Sequence, residues 1–205
     1  MTLGPFATNS YLVSVPGSAD CWIIDPSFGP AALIERVRGR GLTPVAIVLT
    51  HAHVDHIAGV ADVRRAFPGV PVLVHATEAE WLSEPMLNLS ALTGMRVTAP
   101  GPDGFLEDGK TLTLAGTTWT IRHTPGHSPG GVVLIHDPSG CVIAGDTLFA
   151  GSIGRTDFPG GDAATLASSI RNVLYRLPDE TRVYPGHGPP TTVGAERRSN
   201  PYVRG

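Results

Sequence analysis

Cysteine is almost missing from this 205-residue chain: Cys21 and Cys141 are the two present, and they form no C-x-x-C pair. Without a neighbouring histidine neither reads as a catalytic thiol, and both are expected as buried thiols in separate apolar strands of a cytoplasmic protein. Charge of one sign is also lacking. Fifteen basic and eighteen acidic residues give a net charge of −3 and are mixed along the chain, which offers no nucleic-acid-binding face. No apolar run approaches the length of a bilayer span, so no membrane partner is expected. Residues 1–9 carry neither a basic start nor a long apolar stretch, so no secretory signal is expected. Repeats of solenoid length and internal linkers are missing too, which predicts one domain over residues 1–205.

What is present is an ordinary core-forming composition, 41% hydrophobic and 16% charged, with 25 glycines and 19 prolines. That much turn chemistry suits a strand-rich fold better than a helical bundle. Strands are predicted at 11–15, 21–25, 45–49, 70–74, 111–114, 118–122, 132–136, 142–144 and 182–184. Helices are predicted at 31–40, 57–67, 77–82 and 163–177, the last started by Asp162, and residues 83–102 read as a connection without clear pattern. Hairpins among the strands disfavour a doubly wound parallel sheet. They point to an α/β fold in four layers, an αβ/βα sandwich of two mixed β-sheets with flanking helices.

The densest chemistry lies in Leu49-Thr50-His51-Ala52-His53-Val54-Asp55-His56, directly after an apolar strand. Neutral imidazole is the commonest metal ligand, and an H-x-H pair puts two rings on one side of extended backbone. Asp55 and His56 continue around a turn, where they can serve a second centre. Four more polar residues stand just after apolar strands or in glycine turns: Asp25, His127, Asp146 and His187. Ligands at neighbouring strand ends can converge on one sheet edge. Two carboxylates, Asp55 and Asp146, brought among desolvated imidazoles would repel, and a divalent cation removes that conflict, two more completely.

On the segments T-H-A-H-V-D-H-I-A-G, H-T-P-G-H-S-P-G, A-G-D-T-L-F-A-G-S-I-G-R-T-D-F-P-G-G-D and Y-P-G-H-G-P-P-T-T-V-G-A-E-R-R-S-N-P-Y, the chain resembles the metallo-β-lactamase-fold hydrolases over nearly its whole length. It is most similar to short, single-domain glyoxalase II-like proteins, hydroxyacylglutathione hydrolases. The resemblance implies one metal on His51, His53 and His127, a second on Asp55, His56 and His187, and Asp146 bridging both. Zinc is the expected metal, although these donors suit iron and manganese too. The implied reaction is hydrolysis of a small-molecule thioester of S-lactoylglutathione type by a metal-bridging hydroxide, with Asp55 as ligand and orienting group. The β-lactam-hydrolysing members usually lack an aspartate acting as Asp146 would, which speaks against antibiotic hydrolysis as the native task. Arg155 stands where two-domain glyoxalase II enzymes carry a thiol-binding lysine, but Asp157 replaces a tyrosine contact, and no counterpart of their C-terminal glutathione-gripping helical domain is expected. A salt bridge with Asp157 or Asp162 is the alternative role for Arg155. A persulfide dioxygenase with one iron shares the fold and the G-R-T-D-F segment, and is the competing activity. His75, His123 and His136 are expected outside the ligand set.

Overall fold

A computed structural model describes all 205 residues, and the chain divides into two compact units. The first comprises Met1–Leu106 with Thr113–Thr117, the second Glu107–Leu112 with Thr118–Gly205. In the first unit the chain runs β1 (Thr2–Leu3), β2 (Thr8–Asn9), β3 (Tyr11–Ser14), β4 (Asp20–Ile24), α1 (Ala31–Gly39), β5 (Thr43–Val48), α2 (Val54–Ile57), α3 (Val60–Ala66), β6 (Val72–His75) and β7 (Gly104–Leu106). Then follow β8 (Thr111–Leu114), β9 (Thr117–His123), β10 (Val132–His136), β11 (Cys141–Gly145), β12 (Leu148–Phe149), β13 (Ser152–Ile153), α4 (Ala163–Asn172), β14 (Arg182–Pro185), β15 (Thr191–Thr192) and α5 (Val193–Ser199).

Both main sheets are mixed, as the hairpins among the strands require. One has the order β3-β4-β5-β6-β7, with β3 and β4 antiparallel and the remaining neighbours parallel. The other has the order β15-β14-β11-β10-β9-β8, in which β11 and β14 are parallel and β9, β10 and β11 form an antiparallel meander. Strands covered on both faces read as continuous apolar runs. Ile23, Ile47, Val72 and Val74 join Leu33, Val37, Ile57 and Val63 of the helices in the first unit's core. In the second unit Val133, Val142 and Val183 pack with Leu166, Ile170 and Val193. The α/β class with two mixed sheets and flanking helices is therefore the one expected. No helix is long and apolar enough to cross a membrane.

Several elements differ from the sequence pattern. The helix predicted at 57–67 starts earlier and breaks in two, α2 and α3. Gly59 explains the break: its N–H donates to the Pro26 carbonyl at 2.8 Å, and a Cβ there would stand 2.4 Å from the Ser27 carbonyl oxygen. The backbone approaches so closely that the helical path is interrupted. The helix predicted at 163–177 ends at Asn172 and continues as a 3₁₀ turn, Leu174–Arg176. The predicted helix at 77–82 is two 3₁₀ turns, Ala76–Glu78 and Glu80–Leu82. Cys21 is fully buried, which pushes its thiol up to about 11, whereas Cys141 is only partly buried.

Caps fix the helix starts. Asp162 accepts the Thr165 N–H at 2.7 Å, and that hydrogen bonding holds its carboxyl below the usual range. Its contribution is present above the ordinary aspartate pKa of about 4 and is lost as pH falls through the lower folded value. Thr192 caps α5 by accepting the Ala195 N–H at 3.2 Å. Thr192→Ala is expected to cost about 1 kcal/mol in urea unfolding. An unchanged midpoint would show that the cap is idle.

Candidate metal centre

In the first unit, His51, His53, Asp55 and His56 follow the buried end of β5 and enter α2. The His51 ring centre lies 4.7 Å from that of His53 and 4.0 Å from that of His56. All three histidines are buried. Asp25, in the left-handed turn after β4, organises them rather than joining them as a donor. Its Oδ1 accepts the Thr50 N–H at 2.7 Å and its Oδ2 the Thr50 hydroxyl at 2.6 Å. Oδ2 also lies 3.0 Å from His56 Nδ1. A carboxylate there holds the proton on Nδ1, so His56 presents the lone pair of Nε2 on its other side. That Nε2 lies 3.4 Å from Asp55 Oδ2, which accepts the Thr8 hydroxyl at 2.7 Å.

The second unit offers His127, Asp146 and His187. His127 lies in the turn between β9 and β10, and its Nδ1 is 2.7 Å from the Arg155 carbonyl oxygen. A carbonyl only accepts, so Nδ1 carries the proton and Nε2 the lone pair. Asp146 follows β11, with Oδ2 3.5 Å from His127 Nε2 and 3.4 Å from His187 Nε2. His187 follows β14 and meets Phe149 edge-on with ring centres 6.0 Å apart. Its turn is tied to the Asp146 strand by the Gly186 N–H donating to the Gly145 carbonyl at 2.7 Å. Gly154 packs against the Asp146 carbonyl and the His127 side chain.

The donor chemistry fits divalent cations. Imidazole nitrogens and carboxylate oxygens are borderline and hard donors that suit zinc, iron and manganese. In both units an Nε2 lone pair faces a carboxylate oxygen at 3.4–3.5 Å while the Nδ1 proton is committed elsewhere. Two acceptors so placed repel unless a cation lies between them.

The other sequence candidates are placed as follows. Arg155 is exposed, held by Asp157 through hydrogen bonds of 2.9 and 2.7 Å, and its guanidinium lies 4.2 Å from the Phe158 ring centre. This pairing raises the arginine's pKa and lowers that of Asp157. His75 Nδ1 meets the Thr77 hydroxyl, His123 Nε2 donates to the Pro129 carbonyl at 2.9 Å, and His136 meets Ser139 and stacks on Trp119. Glu196 accepts from Gly151 N–H, Thr191 Oγ1 and Asn200 Nδ2, binding α5 to the β12–β13 turn. The sequence pattern did not mark Thr8 or Thr50 as supports of the ligands, since each acts through one hydroxyl.

Known proteins resemble this chain in sequence and in fold. The family model of the metallo-beta-lactamase superfamily matches residues 3–187. The chain is 38% identical to hydroxyacylglutathione hydrolase GloC of Haemophilus influenzae, over 88% of this chain and 86% of that protein. Among solved structures, the BLEG-1 B3 metallo-beta-lactamase superposes with a TM-score of 0.95 at 44% identity, covering 100% of this chain and 98% of that one. TTHA1623 in a di-iron-bound form superposes with a TM-score of 0.88 at 40% identity, covering 99% and 98%. With 185 of its 205 residues spanned by the family model, the chain belongs to the metallo-beta-lactamase superfamily.

Proposed function

We propose that the chain is a metal-dependent hydrolase acting on thioesters of a low-molecular-weight thiol, of the S-lactoylglutathione type. The observation that carries this reading is the paired arrangement of Nε2 lone pairs against Asp55 and Asp146 oxygens. His51, His53 and His127 would hold one cation and Asp55, His56 and His187 a second, with Asp146 shared between them. Seven imidazole and carboxylate donors exceed what one closed four-coordinate structural site uses, which supports catalysis over a structural role. The di-iron form of TTHA1623 supports a two-metal site of this donor type.

When bound, such cations supply Lewis acidity to a carbonyl oxygen and lower the pKa of water toward neutrality. The chain's own groups do the rest. The Thr8 hydroxyl donates to Oδ2 of Asp55 and holds that carboxylate in place, where it would orient water and accept its proton. Asp25 and the Arg155 carbonyl hold His56 and His127 in one tautomer, so each ring turns a lone pair inward. Addition of water oxygen to the thioester carbon is followed by cleavage of the C–S bond. The departing thiolate is stable enough to leave without a protonating residue, and a carboxylic acid remains. The name of the GloC relative supports this substrate class.

The B3 metallo-beta-lactamase name of BLEG-1 favours a second reading, hydrolysis of a β-lactam amide. One comparison separates them. Zinc-loaded protein is assayed without oxygen on S-lactoylglutathione, on the same acyl group carried by N-acetylcysteine, and on a chromogenic cephalosporin. Thioester turnover is expected to exceed cephalosporin turnover by more than about 100-fold in kcat/KM, roughly 3 kcal/mol in transition-state binding. Preference for the cephalosporin overturns the thioester reading, and oxygen uptake with added glutathione persulfide, in the absence of thioester turnover, does so in favour of a persulfide dioxygenase.

A further inference from the structure

The segment 76–88 is fastened to three consecutive residues of the ligand-bearing turn. Glu78 Oε2 accepts the Ala52 N–H at 2.6 Å, between His51 and His53. Trp81 stacks on the His53 ring with centres 5.6 Å apart and planes at 29°. The Asn88 carbonyl accepts the Val54 N–H at 2.8 Å. Asn88 is itself locked, its side-chain amide donating to the Trp81 and Val97 carbonyls and its oxygen accepting the Ser90 N–H. Glu78 is fully buried, although its neighbours Thr77 and Glu80 are not. A carboxylate is rarely taken wholly out of water, because the desolvation cost is several kcal/mol unless nearby positive charge or hydrogen bonds offset it. Arresting a short backbone turn requires only a neutral acceptor. A buried anion hydrogen-bonded to the peptide that separates two imidazole ligands does more, because it lowers the electrostatic cost of bringing cations there.

From this geometry we infer that Glu78 is a positioning residue for the metal centre. Its carboxylate pins the Ala52 peptide so that His51 and His53 are preset, and its charge strengthens cation binding by both rings. Glu78 needs no contact with metal or substrate; it acts through Ala52. The inference rests on the metal-binding reading above.

The test compares zinc affinity of the wild type, Glu78→Gln and Glu78→Ala by competition with a chromogenic chelator, beside thermal unfolding of each metal-free protein. Glu78→Gln keeps the acceptor and shape but removes the charge. It is expected to weaken zinc binding about tenfold, the scale typical of groups that orient metal ligands, with the metal-free melting temperature nearly unchanged. Glu78→Ala loses the pin as well and is expected to weaken binding further. Glu35→Gln, on an exposed pair with Arg38, serves as control and moves neither quantity. Wild-type zinc affinity in Glu78→Gln overturns the inference, including where only the metal-free melting temperature falls, since that marks a purely structural residue. A wild type that takes up no zinc, iron or manganese sinks the metal-binding reading itself, a different result.

Discussion

Replacing Asp146 with alanine is expected to strip bound metal and reduce thioester turnover by more than about 100-fold. The lower bound follows from chemistry: losing a group that merely supports a metal ligand costs 10–100-fold, and losing a shared ligand costs more. Asp146 Oδ2 faces Nε2 of both His127 and His187, so one substitution takes away the anion common to two imidazoles. Asp146→Asn separates charge from shape, keeping one oxygen acceptor while losing the carboxylate, and is expected to fall almost as far. His136→Ala is the matched control. That histidine stacks on Trp119 and meets Ser139 and belongs to none of the donor groups, and its loss is expected to leave metal content and turnover largely intact. Metal analysis with initial-rate kinetics checks all three, and wild-type rates in Asp146→Ala would overturn the shared-ligand assignment.

Gly154→Ala is expected to damage the same centre without touching a donor. A Cβ on Gly154 would stand 2.0 Å from the Asp146 carbonyl oxygen and 3.0 Å from Cβ and Cγ of His127. No carbon tolerates the first distance, so the Asp146 backbone must retreat or the β13 end must shift. Overpacking of this kind costs roughly 1–3 kcal/mol. For a chain of this length that corresponds to a melting temperature lowered by roughly 2–12 °C. The displacement falls on two of the proposed metal ligands, so metal loss is expected to exceed what the stability change alone produces. Thermal unfolding with metal stoichiometry measures both, and a variant matching wild type in each would show that Gly154 has room the structure denies it.

Local chemistry was legible in the sequence and distant support was not. His51, His53, Asp55 and His56 stand out because four donors within six residues break the pattern of an apolar strand and its turn. His127, Asp146 and His187 were visible through their placement after strands, and Arg155 through its family segment. Asp25 was noticed for the same placement, but its part as the Nδ1 partner of His56 depends on a 31-residue separation that no spacing rule reports. Thr8 and Glu78 gave no signal, because each acts through one hydrogen bond and sits in ordinary sequence. Residues 83–102 showed no period because they are held by Asn88 and Ser90 side chains, with Leu89 in a left-handed conformation, rather than by helical or strand repeats. Strands of two residues, β1, β2, β12, β13 and β15, are too short for alternation to register. The 57–67 helix was misread for a tertiary reason, the close approach of Gly59 to the Pro26–Ser27 backbone.

Everything in the functional account depends on cations held by the proposed histidine and aspartate ligands. The most direct measurement is the transition-metal content of the purified protein, taken together with S-lactoylglutathione hydrolysis before chelation, after chelation and after zinc is restored. The account predicts about two equivalents of metal per chain, activity lost when they are removed and recovered when they return. Undiminished hydrolysis by a preparation carrying no transition metal would contradict it.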